Sequence, residues 1–198
     1  MLFKNLSFEK FKADVYTFSI SENESYIDSY AHFIQYFAAL PEIKKHHLII
    51  ASHFVYGWMP TVLHLNTKDI DKVLVLLNKA KKGHLINEDE LQVLKMCVNN
   101  SIVGASKLLH FINPAIYAIF DSRVYRYLTN NKSSYGIDKP ATYLAYLKTL
   151  LSISEHEAFA EIHALIESHF KSKLTPNRAI ELVMFETDRR EHQPFKEN

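Results

Sequence analysis

Apolar residues recur at helical spacing along most of the chain, and short polar or proline-containing breaks cut the pattern into segments. A short helix over Phe3–Ala13 is expected first, followed by an extended piece, Val15–Ile20. Ser21 with Glu24 reads as a capping box, in which hydroxyl and carboxylate satisfy free backbone N–H groups reciprocally. The helix it opens runs through Leu40 and carries Tyr26, Tyr30, Phe33, Ile34 and Phe37 on one face. Pro41 suits the first turn of the next helix, which extends to about Gly57 over Ile43, Leu48, Ile49, Ala51 and Phe54. The Gly57–Pro60 segment should end it. Lys68–Lys82 forms a further helix on Ile70, Val73, Leu74 and Leu77, closed by Gly83. Asn87 with Glu90 starts another, with Leu91, Leu94 and Val98 inward, and Asn99-Asn100-Ser101 is the turn after it.

Beyond residue 130 the same pattern continues. Asp138 and Pro140 start a helix through about Leu151. Ser154 with Glu157 caps a long one through Leu174, and Thr175-Pro176 opens the last over Ile180, Val183 and Met184. The charged tail from Arg189 is expected to fray. The pattern predicts an all-α fold, an orthogonal multi-helix domain of about eight to ten helices. The chain reads as one all-helical domain over 1–198. A two-lobed arrangement, 1–100 and 101–188, stays open.

Composition narrows the classes. The 198 residues are 47% hydrophobic, enough for a sizeable core, and four glycines and six prolines are too few for a turn-rich β fold. A net charge of +1 argues against a dedicated, strongly basic nucleic-acid binder but leaves room for a local basic patch. Cys97 is the single cysteine, so no intramolecular disulfide forms, and a reducing, cytoplasmic location is expected. No apolar run reaches the roughly 18 residues of a membrane span, and the first residues lack a secretory signal pattern.

Metal chemistry finds little support. Helical ligand pairs stand at i and i+4, whereas His156, His163 and His169 are seven and six residues apart, and His46 and His47 point to different faces. His163 and Glu167 instead form a helix-surface pair. No metal site and no cofactor are expected. Cys97 reads as packed and inert. Trp58 is a core anchor or a base-stacking aromatic, and both readings stay open.

Reactive groups concentrate in Ser101–Leu128. On a helix from Ile102 through Asn113, Ser106, Lys107, His110 and Asn113 share one polar arc. Asp121 reads as the N-cap of the following helix, which turns Val124, Tyr125 and Leu128 inward and Ser122, Arg123 and Arg126 outward. The link Asn113–Phe120 can span up to roughly 26 Å, so it is long enough to double back and bring Asp121 to Lys107.

Gly104-Ala-Ser-Lys107 and Ile119-Phe-Asp-Ser-Arg-Val-Tyr-Arg126 resemble the core of helix-hairpin-helix base-excision DNA glycosylases, the 8-oxoguanine branch most of all. The resemblance covers about residues 101–128. It implies that Lys107 attacks the anomeric carbon of a flipped nucleotide and forms a Schiff base. Asp121 would support the developing positive charge and assist proton transfers. DNA would be the partner, with Arg123, Arg126, His110 and Trp58 as binding residues. Gly104 stands three residues before Lys107 without a partner glycine, and fourteen residues separate lysine from aspartate. The alternative is a non-catalytic helical binding or interaction protein, a defence or regulatory accessory domain. In that case Asp121 is only a cap.

Overall fold

The computed structural model describes residues 3, 6–19, 25–58, 62–131, 133–170 and 173–192, without the side chains of residues 25–28 and 58. Among these residues it is all-helical, with ten helices and an isolated bridge between Leu65 and Val98. The expected Ser21–Glu24 capping box lies outside the described residues, as do the Met59–Thr61 segment and residues 193–198.

Helix α1 (Phe8–Thr17) starts later than expected because Ser7 caps it, accepting from the Lys10 N–H at 3.1 Å. It also runs through Val15 and Thr17, where an extended piece was expected. Val15 stands four residues beyond Phe11, and the two form the buried stripe of this helix. Burial of that stripe overrides the β-propensity of Val-Tyr-Thr. Helix α2 (Ser25–Ala39) buries Tyr30 and Phe37 of its aromatic face.

Pro41 does not begin α3 (Lys45–Trp58). The side-chain amide of Asn78 accepts from the Ile43 N–H at 2.7 Å and donates to the Ile43 carbonyl at 2.9 Å. That clasp fixes residues 41–44 as a bend, so the helix begins after it. Helix α4 (Ile70–Lys81) ends at Gly83, whose φ of +90° favours glycine. Helix α5 (Glu88–Cys97) opens on the expected capping box of Asn87 and Glu90. Cys97 is buried, and desolvation pushes its thiol up to about 11, away from reactivity.

Helices α6 (Ile102–Ile112) and α7 (Ser122–Thr129) follow. Asp138 does not open α8 (Pro140–Ser154). Its carboxylate accepts from the Ile102 N–H at 2.9 Å, at the start of α6, while Pro140 takes the first turn of α8. Ser154 is the last residue of α8 rather than a cap for the next helix, and its hydroxyl donates to the Leu151 carbonyl. Helix α9 (Phe159–Phe170) starts only after an interposed turn and ends before Leu174.

Helix α10 (Pro176–His192) extends into the stretch expected to fray, as far as His192. Arg189 pairs with Glu186 at 3.5 Å, and Arg190 donates to the backbone carbonyl of Thr17 on α1. Two helices act as axes. α6 packs against α2, α3, α4, α5 and α8, and α10 packs against α1, α7, α8 and α9. No described helix is long and apolar enough to cross a membrane.

Candidate functional site

The site is built on the segment joining α6 to α7. Tyr117, Ala118, Ile119 and Phe120 are all buried outside any helix, where four unpaired carbonyls would each cost free energy. Side-chain donors satisfy the first three, and the Ser106 hydroxyl, nearer to the Val103 carbonyl at 2.9 Å, lies close to the fourth. His110 Nδ1 donates to the Tyr117 carbonyl at 2.7 Å, and the Tyr143 hydroxyl to Ala118 at 2.9 Å. The Tyr146 hydroxyl donates to Ile119 at 3.0 Å, and Ser106 Oγ lies 3.2 Å from the Phe120 carbonyl. Ser106 Oγ also accepts from the Phe120 N–H at 3.1 Å. The hydroxyl thereby ties residue 106 to residue 120, and their successors, Lys107 and Asp121, become neighbours.

The polar arc of α6 is therefore interior. Ser106 and His110 are fully buried and Lys107 is 9% exposed. Desolvation pulls the Lys107 ammonium below its ordinary range, partly opposed by the negative charges of Asp121 and then Glu181. Asp121 heads α7 as expected, Oδ1 accepting from the N–H groups of Arg123 and Val124 at 3.0 Å each. Those bonds satisfy two of the free N–H groups at the start of the helix.

Two further charges come from α10. Arg178 and Glu181 are both about 2% exposed and form a buried ion pair. Burial raises Glu181 to about 7, with Arg178 opposing and Asp121 adding to the rise. Arg178 lies over the Tyr30 ring, 4.8 Å from its centroid. The Tyr30 hydroxyl is 2.9 Å from His110 Nε2. Because Nδ1 donates to Tyr117, Nε2 is the acceptor and Tyr30 the donor. Burial, then the Arg178 charge, lowers His110 to about 3, so the ring is neutral. Both ring nitrogens are engaged, and neither is left to meet a base. His110 positions the link and Tyr30.

The arginines of α7 do not face open solvent. Arg126 grips Asp188 of α10 with Nε at 2.8 Å and Nη2 at 2.5 Å, and Arg123 approaches the same carboxylate at 4.0 Å while lying over Phe185. The expected outer side of α7 is thus its seam with α10, although both arginines keep about a fifth to a quarter of their side-chain surface exposed. Trp58 closes α3, and its side chain lies outside the described residues.

The α5–α6 turn does without glycine by placing Asn99 and Asn100 at φ +54° and +49°. Asn99 also accepts from the His64 N–H and donates to the Val62 carbonyl. The first turn of α6 is occupied, by Asp138 on Ile102 and by Ser101 on Gly104. Gly104 serves packing: a Cβ there would come within 2.3 Å of the Tyr56 hydroxyl. Gly104→Ala should therefore lower stability by about 1–3 kcal/mol through overpacking. In a Tyr56→Phe background the loss should shrink, as chemical denaturation of the four proteins would show.

The residues of α10 escaped sequence reading because charged side chains are rarely buried, and Ile180, Val183 and Met184 define a plausible apolar face alone. The available signal was Arg178 and Glu181 three residues apart, with Asp188 close to the same helical direction as Glu181. Among the described residues no group of three His, Cys, Asp or Glu side chains is disposed to hold a metal ion. Comparison of the chain with protein-family models, curated proteins and solved structures returns no match.

Proposed function

We propose that the chain is a DNA glycosylase-like enzyme that removes a damaged base with Lys107 as nucleophile. The observation carrying this reading is a buried lysine, with its ammonium disfavoured, held beside a helix-capping aspartate. A neutral amine is the reactive form. In the reaction it attacks the anomeric carbon, the glycosidic C–N bond breaks, and the base departs with that electron pair and a proton. Loss of the ring oxygen from the same carbon, with protonation of that oxygen, leaves a protonated Schiff base on Lys107. Asp121 stabilises the positive charge. Arg123 and Arg126, oriented by Asp188, keep about a fifth to a quarter of their side-chain surface exposed and would meet flanking phosphates. The damaged nucleotide must leave its stack to reach a buried amine.

The test is borohydride trapping on oligonucleotides bearing damaged or abasic sites. The wild-type protein should form a covalent adduct, and Lys107→Gln should form none. Asp121→Asn should keep the cap, since Asn serves that position about as well, yet lose most of the trapping while its melting temperature stays near wild type. Absence of an adduct with every lesion would remove the lyase reading.

One observation favours a second reading, a helical binding protein in which these charges are structural. Asp138 occupies the start of α6, where the amides of a glycine hairpin would otherwise meet a phosphate. Under that reading Lys107→Gln leaves binding intact, and the salt dependence of oligonucleotide binding is shallow.

A further inference from the structure

We propose that Arg123, Arg126 and His192 form one phosphate site on the seam of α7 and α10, with Asp188 as the positioning residue that aims them. Asp188 is 1% exposed, and its carboxylate is shared by two arginines and a histidine. Oδ1 meets Arg126 Nε at 2.8 Å and His192 Nδ1 at 3.2 Å. Oδ2 meets Arg126 Nη2 at 2.5 Å and Arg123 Nη1 at 4.0 Å. The ligand class is a phosphodiester of a nucleic-acid strand. That assignment rests on the glycosylase reading, whereas the site itself does not depend on Lys107.

One carboxylate balances one positive charge, so two guanidiniums leave a surplus, and a protonated His192 adds to it. The bidentate bond of Arg126 is enough by itself to join α7 to α10, and it engages two of the five N–H donors of that guanidinium. Arg123 stands beyond hydrogen-bond distance from Asp188. It is held instead over the Phe185 ring, 5.3 Å from its centroid, which fixes the group while leaving its donors for a ligand. His192 Nδ1 faces both Asp188 Oδ1 and the Asp188 carbonyl, the latter at 3.1 Å, so this nitrogen carries a proton. Nε2 carries the second proton when an anion is bound there. Side-chain exposures of 21%, 24% and 34% place these three groups at the surface around a buried carboxylate. The neighbouring cations of α10 are engaged elsewhere, Arg189 with Glu186 and Arg190 with the Thr17 carbonyl. Arg123 and Arg126 stand two and five residues after Asp121, so a phosphate held by them lies within about two turns of the head of α7.

The experiment uses the full-length protein and two probes, inorganic phosphate and an undamaged duplex oligonucleotide, at about pH 6, where histidine readily takes a second proton. Arginine Nε–Hε resonances, assigned with Arg123→Lys and Arg126→Lys, are followed by NMR as phosphate is added. Both should move along one saturating curve. Asp188→Asn raises the net positive charge, yet it should weaken phosphate binding severalfold because the guanidiniums lose their aim. Tighter binding in that variant would overturn the aimed site. For the duplex, the slope of log affinity against log salt should become shallower by about 0.9 in Arg123→Gln and again in His192→Gln, one phosphate contact each. These two variants leave the bond between Arg126 and Asp188 in place, so they decide the matter even if Asp188→Asn fails to fold. Arginine signals unmoved by phosphate, or slopes unchanged in both variants, would overturn the proposal. Phosphate binding without duplex binding would overturn the nucleic-acid assignment and leave a site for a small phosphorylated molecule. Duplex binding through this site without borohydride trapping on damaged oligonucleotides would support the site and remove the lyase reading.

Discussion

Replacing Arg178 by methionine should cost about 3–5 kcal/mol at pH 7.5, the loss expected when one member of a buried ion pair is removed. The methionine fills much of the arginine's stem but leaves Glu181 without its counter-charge, so the carboxyl must take up a proton or stay charged in the interior, and it withdraws the cation from the Tyr30 ring. Most of the penalty comes from the stranded carboxylate, not from the lost attraction. Two consequences distinguish this from simple loss of packing. Adding Glu181→Gln to the Arg178→Met protein should recover a large part of the stability, because a neutral amide needs no counter-charge. The penalty should also be smaller at pH 5 than at pH 7.5, because Glu181, raised by burial to about 7, is protonated in the folded state at the lower pH. Urea unfolding of the wild type, both single variants and the double variant at the two pH values measures both effects. An unchanged penalty at low pH, with no recovery in the double variant, would mean that Arg178 matters only for its volume.

The fold class was legible because a 3.6-residue hydrophobic period and local caps are properties of neighbouring residues. Asn87 with Glu90, and Asp121 before Val124, were readable for this reason. Boundaries were missed where a distant partner fixed the chain. Asn78 on α4 sets the start of α3, and Asp138 caps a helix 36 residues before it instead of opening its own. The same division applies to the site. The proximity of Lys107 and Asp121 was permitted by the link length, but what enforces it is Ser106, which looked like one more small polar residue on the arc. His110 looked like a group for substrate because a histidine beside a lysine suggests chemistry. Its two nitrogens are spent on Tyr117 and Tyr30, a pairing between residues up to 80 apart in sequence. Glu181 and Arg178 were hidden by the expectation that charges face water, which fails where charges can neutralise one another.

The stability of the wild-type protein should vary little between about pH 4.5 and 6.5, and single substitutions should reveal two opposing slopes beneath that plateau. His110 is lowered from 6.5 to about 3 in the fold, first by burial and then by Arg178. The unfolded chain therefore binds the extra proton in this range, so the stabilisation is complete above pH 6.5 and is lost as pH falls toward 3. Glu181 is raised from 4.5 to about 7, and here the folded protein holds the extra proton. Its stabilisation is complete below about pH 4.5 and is lost as pH rises through 7. Each limb has a limiting slope of about 1.4 kcal/mol per pH unit for one proton, and across the overlap they offset. Glu181→Gln removes the falling limb, so its stability should climb steadily from pH 4.5 to 6.5. His110→Gln, which keeps a donor for the Tyr117 carbonyl, removes the rising limb, so its stability should drop over the same interval. Urea unfolding in half-unit pH steps separates the three curves, and surface carboxylates common to all of them cancel in the differences. Parallel curves would show that neither buried group carries a proton linked to folding.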